Sequence, residues 1–173
     1  MNIAIVGATG NVGRKILEVL EQKKLPVDQL YLVASARSAG KKIIFNGKEY
    51  NIYDLEKYDF SKAEITFFAA GGKISEQYAE KAAKHSTIID NSSFFRMDKA
   101  VPLIVPQVNP EDIDNLKKNI IANPNCSTAQ LVIALKPLHD EFDIKRVVIS
   151  TYQSVSGGGK APMDELIEQT KLS

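Results

Sequence analysis

One cysteine stands in the stretch Ile120-Ile-Ala-Asn-Pro-Asn-Cys126-Ser-Thr-Ala-Gln130, and its neighbours decide what it can do. Ile120, Ile121 and Ala122 form a short apolar run suited to a buried strand. Asn123, Pro124 and Asn125 are turn and cap residues, and Leu131, Val132, Ile133, Ala134 and Leu135 supply the apolar body of a helix. Cys126 then falls in the first helical turn, where unpaired N–H groups and the positive end of the dipole favour an anionic sulfur. Such a sulfur can attack a carbonyl carbon and form a thioester. The competing reading is packing, because free cysteine is among the most buried residue types. Polar residues on both sides, Asn125 before and Ser127-Thr128 after, argue against a core position.

A second group of residues suits a phosphate-bearing ligand. The loop Gly7-Ala-Thr9-Gly10-Asn11-Val12-Gly13 follows an apolar run at residues 2–6 and opens an expected helix over residues 12–23. Val12, Ile16, Leu17, Val19 and Leu20 would form that helix's apolar side. Strand, glycine loop and helix in this order are the context a dinucleotide fingerprint requires. Glycines permit the tight turn and the close approach of a pyrophosphate to backbone N–H groups at the helix start. The spacing is Gly-x-x-Gly-x-x-Gly rather than the commoner Gly-x-Gly-x-x-Gly, and a plain structural turn is the alternative. The next apolar run, residues 30–34, leads into Ser35-Ala-Arg37-Ser38-Ala-Gly40. An acid that would hold the ribose hydroxyl of NAD is missing there. An arginine and two serines suit a 2′-phosphate instead, so the loop points to NADP. An ordinary surface arginine is the competing reading.

Further candidates lie at the ends of later runs. Residues 64–70 read as a strand ending in Ala69-Ala70-Gly71-Gly72, where small side chains let a flat ligand approach the backbone, or simply turn the chain into a helix over residues 73–84. Ile74, Tyr78 and Ala82 would share one side of that helix. Residues 87–89 read as a strand ending in Asp90-Asn-Ser-Ser93, and Phe94-Phe-Arg96-Met97 continues the loop. On the residues alone Arg96 reads as an exposed charge, with an anion clamp as the alternative. Asn46-Gly47 between residues 41–45 and 48–52 is a strong hairpin signal and reads as a surface excursion. Tyr58-x-x-x-Lys62 matches a dehydrogenase pair by chance, since it lies in a charged connector. Residues 101–105 and 146–151 read as strands, residues 110–116 as a short helix, and residues 160–172 as a final helix. Between residues 151 and 160, Gln153-Ser-Val-Ser156-Gly157-Gly-Gly159 marks a hinge or a place where main chain meets a ligand.

Composition narrows the class. At 173 residues, with 22 Lys plus Arg against 21 Asp plus Glu, the chain carries a formal charge of +1 and 44% hydrophobic residues. Such balance gives no reason to expect nucleic acid or an anionic membrane as partner. Two histidines, His85 and His139, and one cysteine leave no metal-site pattern and no internal disulfide. The opening apolar run is too short for a signal peptide core or a membrane span.

Taken together, the glycine loop, Ser35-Ala-Arg-Ser-Ala-Gly40, Asp90-Asn-Ser-Ser93 with Phe95-Arg-Met97, Asn123-Pro-Asn-Cys-Ser-Thr128 and Thr151-Tyr-Gln-Ser-Val-Ser-Gly157 resemble aspartate-semialdehyde dehydrogenases, in that family's order and spacing. The resemblance covers the whole chain. It implies reductive dephosphorylation of L-aspartyl 4-phosphate with NADPH, in the biosynthesis of lysine and diaminopimelate, threonine and methionine. By the same resemblance Cys126 forms the acyl-thioester, and Gln153, Arg96 and Asn125 contact substrate, Arg96 through its phosphate. Gly7, Thr9, Gly10, Asn11, Val12, Gly13, Ser35, Arg37, Ser38, Ala70, Gly71, Ser156 and Gly157 would contact NADP. The expected fold is a doubly wound, mostly parallel α/β sheet of the Rossmann type over residues 1–146. The start of an α+β catalytic and dimerisation domain would occupy residues 147–173. The family's catalytic histidine and remaining ligands match nothing here, so the chain corresponds to roughly the N-terminal half of such an enzyme and would bind NADP without turnover. A cytoplasmic homodimer or tetramer is the expected setting of the whole protein. Another acyl-phosphate or acyl-CoA reductase, or a non-catalytic NADP-binding or redox-sensing module, stays open as an alternative.

Overall fold

The computed structural model describes residues 1–172. Seven strands form one sheet: β1 (Asn2–Val6), β2 (Gln29–Ala34), β3 (Lys42–Phe45), β4 (Lys48–Asp54), β5 (Ile65–Phe68), β6 (Thr87–Asp90) and β7 (Ile120–Ala122). Their spatial order is β3-β4-β2-β1-β5-β6-β7, and every pairing is parallel except the β3–β4 hairpin. The chain starts in the middle, lays β2 and β4 to one side, then crosses to build β5, β6 and β7 on the other. That reversal beside β1 is where doubly wound sheets open a crevice at the carboxyl ends of their strands.

Alternation along buried strands sends residues to both faces. Ile3, Ile5, Leu30 and Leu32 pack on one face with Leu17 and Leu20 of α1 (Asn11–Gln22). Val6, Val33, Phe68, Ile88 and Ile120 pack on the other with Ala79 and Ala82 of α2 (Gly72–Ala82). Full burial of a leucine such as Leu17 or Leu20 contributes about 1.5–3 kcal/mol. The buried side of α1 is narrower than the sequence pattern, because Val12 and Val19 are exposed. Ile74 and Tyr78 pack partly buried against the second cluster, as expected.

Three expectations need correction. The Asn46-Gly47 hairpin forms, with both residues at positive φ, but it is no excursion: β4 pairs with β2 and extends the main sheet. Residues 101–105 contribute only an isolated bridge, Leu103 to Ala122, because prolines flank the run and Pro102 lacks an N–H for a ladder. Residues 146–151 form no strand. Val147, Val148 and Ile149 have the right side chains, yet no neighbouring strand among the described residues pairs with them, and they stand exposed. The short helix expected over residues 110–116 forms as a 3-10 helix, Pro110–Asn115. Tyr58 sits in an aromatic cluster with Tyr31, Tyr53 and Phe60. Burial pushes its phenol far above the usual range, contrary to what a catalytic tyrosine beside Lys62 would need.

The chain divides into two compact units, Met1–Pro124 and Asn125–Ser173. The first holds the whole sheet. The second holds α3 (Cys126–Phe142), a 3-10 turn Val155–Gly158 and α4 (Lys160–Leu172). The compact division thus precedes the functional boundary expected after Arg146, and the cysteine helix groups with α4 rather than with the sheet. None of the described helices is long and apolar enough to cross a membrane.

Gly13 governs how closely α1 lies on the strand end. A Cβ there would stand 2.3 Å from the Gly7 carbonyl oxygen and 2.8 Å from the Ala8 Cα. Backbone cannot yield as a flexible side chain does. Gly13→Ala should therefore lower stability by about 1–3 kcal/mol despite alanine's better helix propensity. Gly10, the N-cap of α1, has room for a Cβ at 3.4 Å, and Gly10→Ala should cost no more than about 1 kcal/mol. Urea unfolding midpoints of the two variants test the contrast; equal losses would refute it.

Candidate active site

The first unit gathers its chemistry at the carboxyl ends of its strands. Gly7 leaves β1 with φ of +88°, and its N–H donates to the Val33 carbonyl at 2.8 Å. A Cβ on Gly7 would meet the Ala69 carbonyl oxygen at 2.7 Å. The loop is thus pressed against the end of β5, and only glycine fits. Thr9, Gly10, Asn11 and Val12 are exposed while Gly13 is buried. No side chain caps α1 at Gly10, so the anion-favouring helix start is open to a ligand.

After β2, Ser35, Ala36 and Arg37 are exposed, with Ser38 half-buried, on a 3-10 turn Ala36–Ser38. The Ser38 N–H donates to the Ser35 carbonyl at 2.8 Å, fixing the turn. The Arg37 guanidinium has no partner among the described residues, and no carboxylate belongs to the turn. A free cation with two hydroxyls beside it fits a 2′-phosphate. After β5, Ala70 and Gly71 are exposed, and Gly71 caps α2 at φ of +89°. The turn reading holds, and its small residues leave the backbone exposed.

Arg96 is not an exposed charge. It is half-buried, with Nε donating to the Asn123 carbonyl at 3.0 Å and Nη2 to the Asn91 carbonyl at 3.4 Å. Those carbonyls directly follow β7 and β6, so the guanidinium is strung between two strand ends with Nη1 left for an anion. The Asn123 side-chain amide donates to the Asn91 Oδ1 at 2.5 Å and locks the pair. Sequence reasoning does not single out Asn91, Asn123, Asp90 or Ser75. The available signal is the polar run Asp90-Asn-Ser-Ser93 directly after a buried strand.

The second unit carries the sulfur. Asn125 is the N-cap of α3: its Oδ1 accepts from the Ser127 N–H at 3.0 Å and the Ser127 hydroxyl at 2.6 Å. That leaves its Nδ2 facing no partner among the described residues. Cys126 is the first residue of the helix and is exposed among the described residues. Gln153 Nε2 donates to Cys126 Sγ at 3.1 Å. Two residues separated by 27 positions are thus brought within hydrogen-bond distance. Ser156 and Gly157 lie on the exposed 3-10 turn that comes next, held by Ser154 Oγ accepting from the Ser156 N–H. Nothing stands within 4 Å of a Cβ built on Gly157, so main chain there is open to a ligand.

Neither histidine joins the groups of its own unit. His85 lies in the connection between α2 and β6, at the amino ends of the strands, opposite the glycine loop. His139 is thirteen residues along α3 from Cys126, roughly 20 Å at 1.5 Å per residue.

Comparison with known proteins agrees with this geometry. Residues 2–116 match the family model "Semialdehyde dehydrogenase, NAD binding domain", and residues 135–173 match "Semialdehyde dehydrogenase, dimerisation domain". Aspartate-semialdehyde dehydrogenase of Aquifex aeolicus is 56% identical over 172 residues, covering 98% of this chain and 51% of that protein. The crystal structure of aspartate semialdehyde dehydrogenase II complexed with ASA from Vibrio cholerae superposes with a TM-score of 0.95 at 51% identity, covering 98% of this chain and 51% of that one. An aspartate semialdehyde dehydrogenase solved with NADP from Candida albicans gives 0.66 at 28% identity, covering 82% and 47%. The chain spans about half the length of the curated relatives it matches. With both domain models matched in order along its length, this chain belongs to the semialdehyde dehydrogenase family.

Proposed function

We propose that the protein carrying this chain is an NADP-dependent aspartate-semialdehyde dehydrogenase, converting L-aspartyl 4-phosphate to L-aspartate 4-semialdehyde. The observation that carries the reading is the Gln153 amide donating to the Cys126 sulfur at the open start of α3. The reaction belongs to the biosynthesis of lysine and diaminopimelate, threonine and methionine, in the cytoplasm and in a homodimer or tetramer. Residues 1–146 serve the cofactor and residues 147–173 begin the catalytic and dimerisation part.

The sulfur of Cys126 attacks the acyl carbon of the aspartyl phosphate. The carbon–oxygen bond to the phosphate breaks, phosphate leaves, and a thioester remains on the protein. Arg96 steadies the departing phosphate through the guanidinium edge not engaged by the Asn91 and Asn123 carbonyls. Gln153 and the free amide of Asn125 orient the reacting carbonyl. Gly7, Thr9, Gly10, Asn11, Val12 and Gly13 hold the pyrophosphate, and Ser35, Arg37 and Ser38 the 2′-phosphate. Ala70, Gly71, Ser156 and Gly157 give main-chain contacts. NADPH held by these residues would supply a hydride to reduce the thioester on Cys126 to the aldehyde, with the Cys126 sulfur as the group released. A general acid–base histidine is not among the groups here, since His85 and His139 both lie away from them.

Four measurements on the natural polypeptide carrying this sequence test the scheme. Aspartate semialdehyde, phosphate and NADP should give phosphate-dependent NADPH formation. Cys126→Ser should abolish it while leaving fold and NADP binding intact, because a serine hydroxyl is a far weaker nucleophile than a sulfur anion. Appreciable activity in that variant would exclude thioester catalysis through Cys126. Arg37→Ala should weaken NADP by about 1.5–3 kcal/mol and NAD much less, as a lost charge-assisted contact requires; equal losses would defeat the 2′-phosphate assignment. Gln153→Ala should slow alkylation of Cys126 by iodoacetamide at neutral pH by roughly threefold or more, the loss expected for one donor to sulfur. An unchanged rate would show that the Gln153 amide does not steady a negative sulfur.

A further inference from the structure

Asp90 ends β6 and is fully buried, at 0% exposure. Its carboxylate takes no part in the chemistry above, yet three groups converge on it. Oδ1 accepts from the Ser75 hydroxyl of α2 at 2.7 Å and the Ser92 N–H at 3.1 Å. Oδ2 accepts from the Ser92 hydroxyl at 2.7 Å. A carboxylate is an acceptor at both oxygens, and here every approaching group is a donor. The Ser92 hydroxyl oxygen in turn accepts from the Phe94 N–H at 3.1 Å, which closes the turn after the strand. The main-chain carbonyl of Asp90 accepts from the Asn123 N–H at 2.8 Å.

Each of these bonds fixes a group that Arg96 uses. Asn91, whose carbonyl receives Nη2, is held between Asp90 and Ser92. Asn123, whose carbonyl receives Nε, is held by the Asp90 main chain. Phe95, directly before Arg96, is buried in the core at 2% exposure, so the turn set by Ser92 leads the chain to one place. Ser75 also reaches the Gly71 carbonyl at 3.4 Å, which ties the same carboxylate to the first turn of α2. A buried carboxylate of this kind is costly to leave unpaired and rigid when satisfied.

We propose that Asp90 is a positioning residue for Arg96: its buried carboxylate, through Ser92 and Ser75, sets the turn that aims the guanidinium at the substrate's phosphate. The inference rests on the reading of Arg96 as the phosphate-binding group. Asp90→Asn would put an N–H₂ where only donors approach, loosening the turn without removing volume.

The test is a double-variant cycle on the natural polypeptide, with Asp90→Asn, Arg96→Ala and both together. NADPH formation is followed as a function of phosphate and of NADP. Asp90→Asn should raise KM for phosphate about tenfold and shift KM for NADP by less than about threefold; with Arg96 already replaced, it should change phosphate KM by less than about twofold, the signature of two residues acting as a unit. The same fold-change in both backgrounds, or equal effects on phosphate and NADP, would overturn the proposal and leave Asp90 a structural cap only. If Asp90→Asn does not fold, Ser75→Ala enters the same cycle, with about a threefold rise expected and the same non-additivity required. A second readout does not depend on the reaction. The Arg96 Nε–H signal, assigned by its loss in Arg96→Ala, should move to the position of a free arginine in Asp90→Asn. An unmoved signal would also overturn the proposal. Absence of any phosphate dependence in the unaltered protein would instead sink the proposed reaction, and the Nε–H signal would still decide the role of Asp90.

Discussion

Backbone meets backbone where β1 ends. Gly7 turns at positive φ against the carbonyl of Ala69, and Gly13 brings α1 down on the carbonyl of Gly7, both at distances that exclude a Cβ. This contact sets the depth of the crevice between the β1 and β5 ends. It also holds the start of α1 beside the turn before α2, so that two bare helix starts open on the same edge of the first unit. The sheet register carries the effect outward. β1 pairs with β2 and β5, β2 places Ser35, Arg37 and Ser38, and β5 pairs with β6, which ends in Asp90. A shift of α1 or β5 would therefore displace the Arg37 turn and the Asp90 strand end together.

The polar groups around Arg96 satisfy one another within the fold. Arg96 does not lie free in solvent; two strand-end carbonyls hold it. Holding a long side chain in advance removes most of the rotamer entropy that binding would otherwise cost. The Arg37 guanidinium, exposed on its turn, has no such hold among the described residues.

Local signals make much of this legible in the sequence, and non-local pairing hides the rest. The glycine loop, the Asn46-Gly47 hairpin and the cap before Cys126 each depend on residues within a few positions, and each forms where expected. The doubly wound sheet follows from the alternation of strand and helix patterns. Arg96 reads wrongly on residues alone because its partners are main-chain carbonyls, and carbonyls carry no mark in a sequence. The Asp90 network is hidden for a related reason: Ser75 and Asp90 are 15 positions apart and belong to different elements. Residues 146–151 show the opposite failure. Val147, Val148 and Ile149 have high strand propensity, but propensity is a preference for a pleated, half-buried surface, and no partner strand among the described residues offers one.

The second unit obeys different physics. No described residue of α3 is buried, although Leu131, Val132, Ile133, Leu135 and Leu138 give it an apolar body. Its order rests on local terms: the Asn125 cap, the Lys136–Asp140 pair and the left-handed cap at Asp143, whose N–H reaches the His139 carbonyl at 2.8 Å. These are terms of a few tenths to about 1 kcal/mol each, small beside the burial of a leucine. The sulfur is nonetheless well placed, because a first-turn residue takes its position from the cap. Gln153 is the opposite case. It stands in an irregular segment, and its amide is held to Cys126 by the 3.1 Å bond itself. The place of Cys126 is therefore set by local helix chemistry, while that of Gln153 is set mainly by its bond to the sulfur.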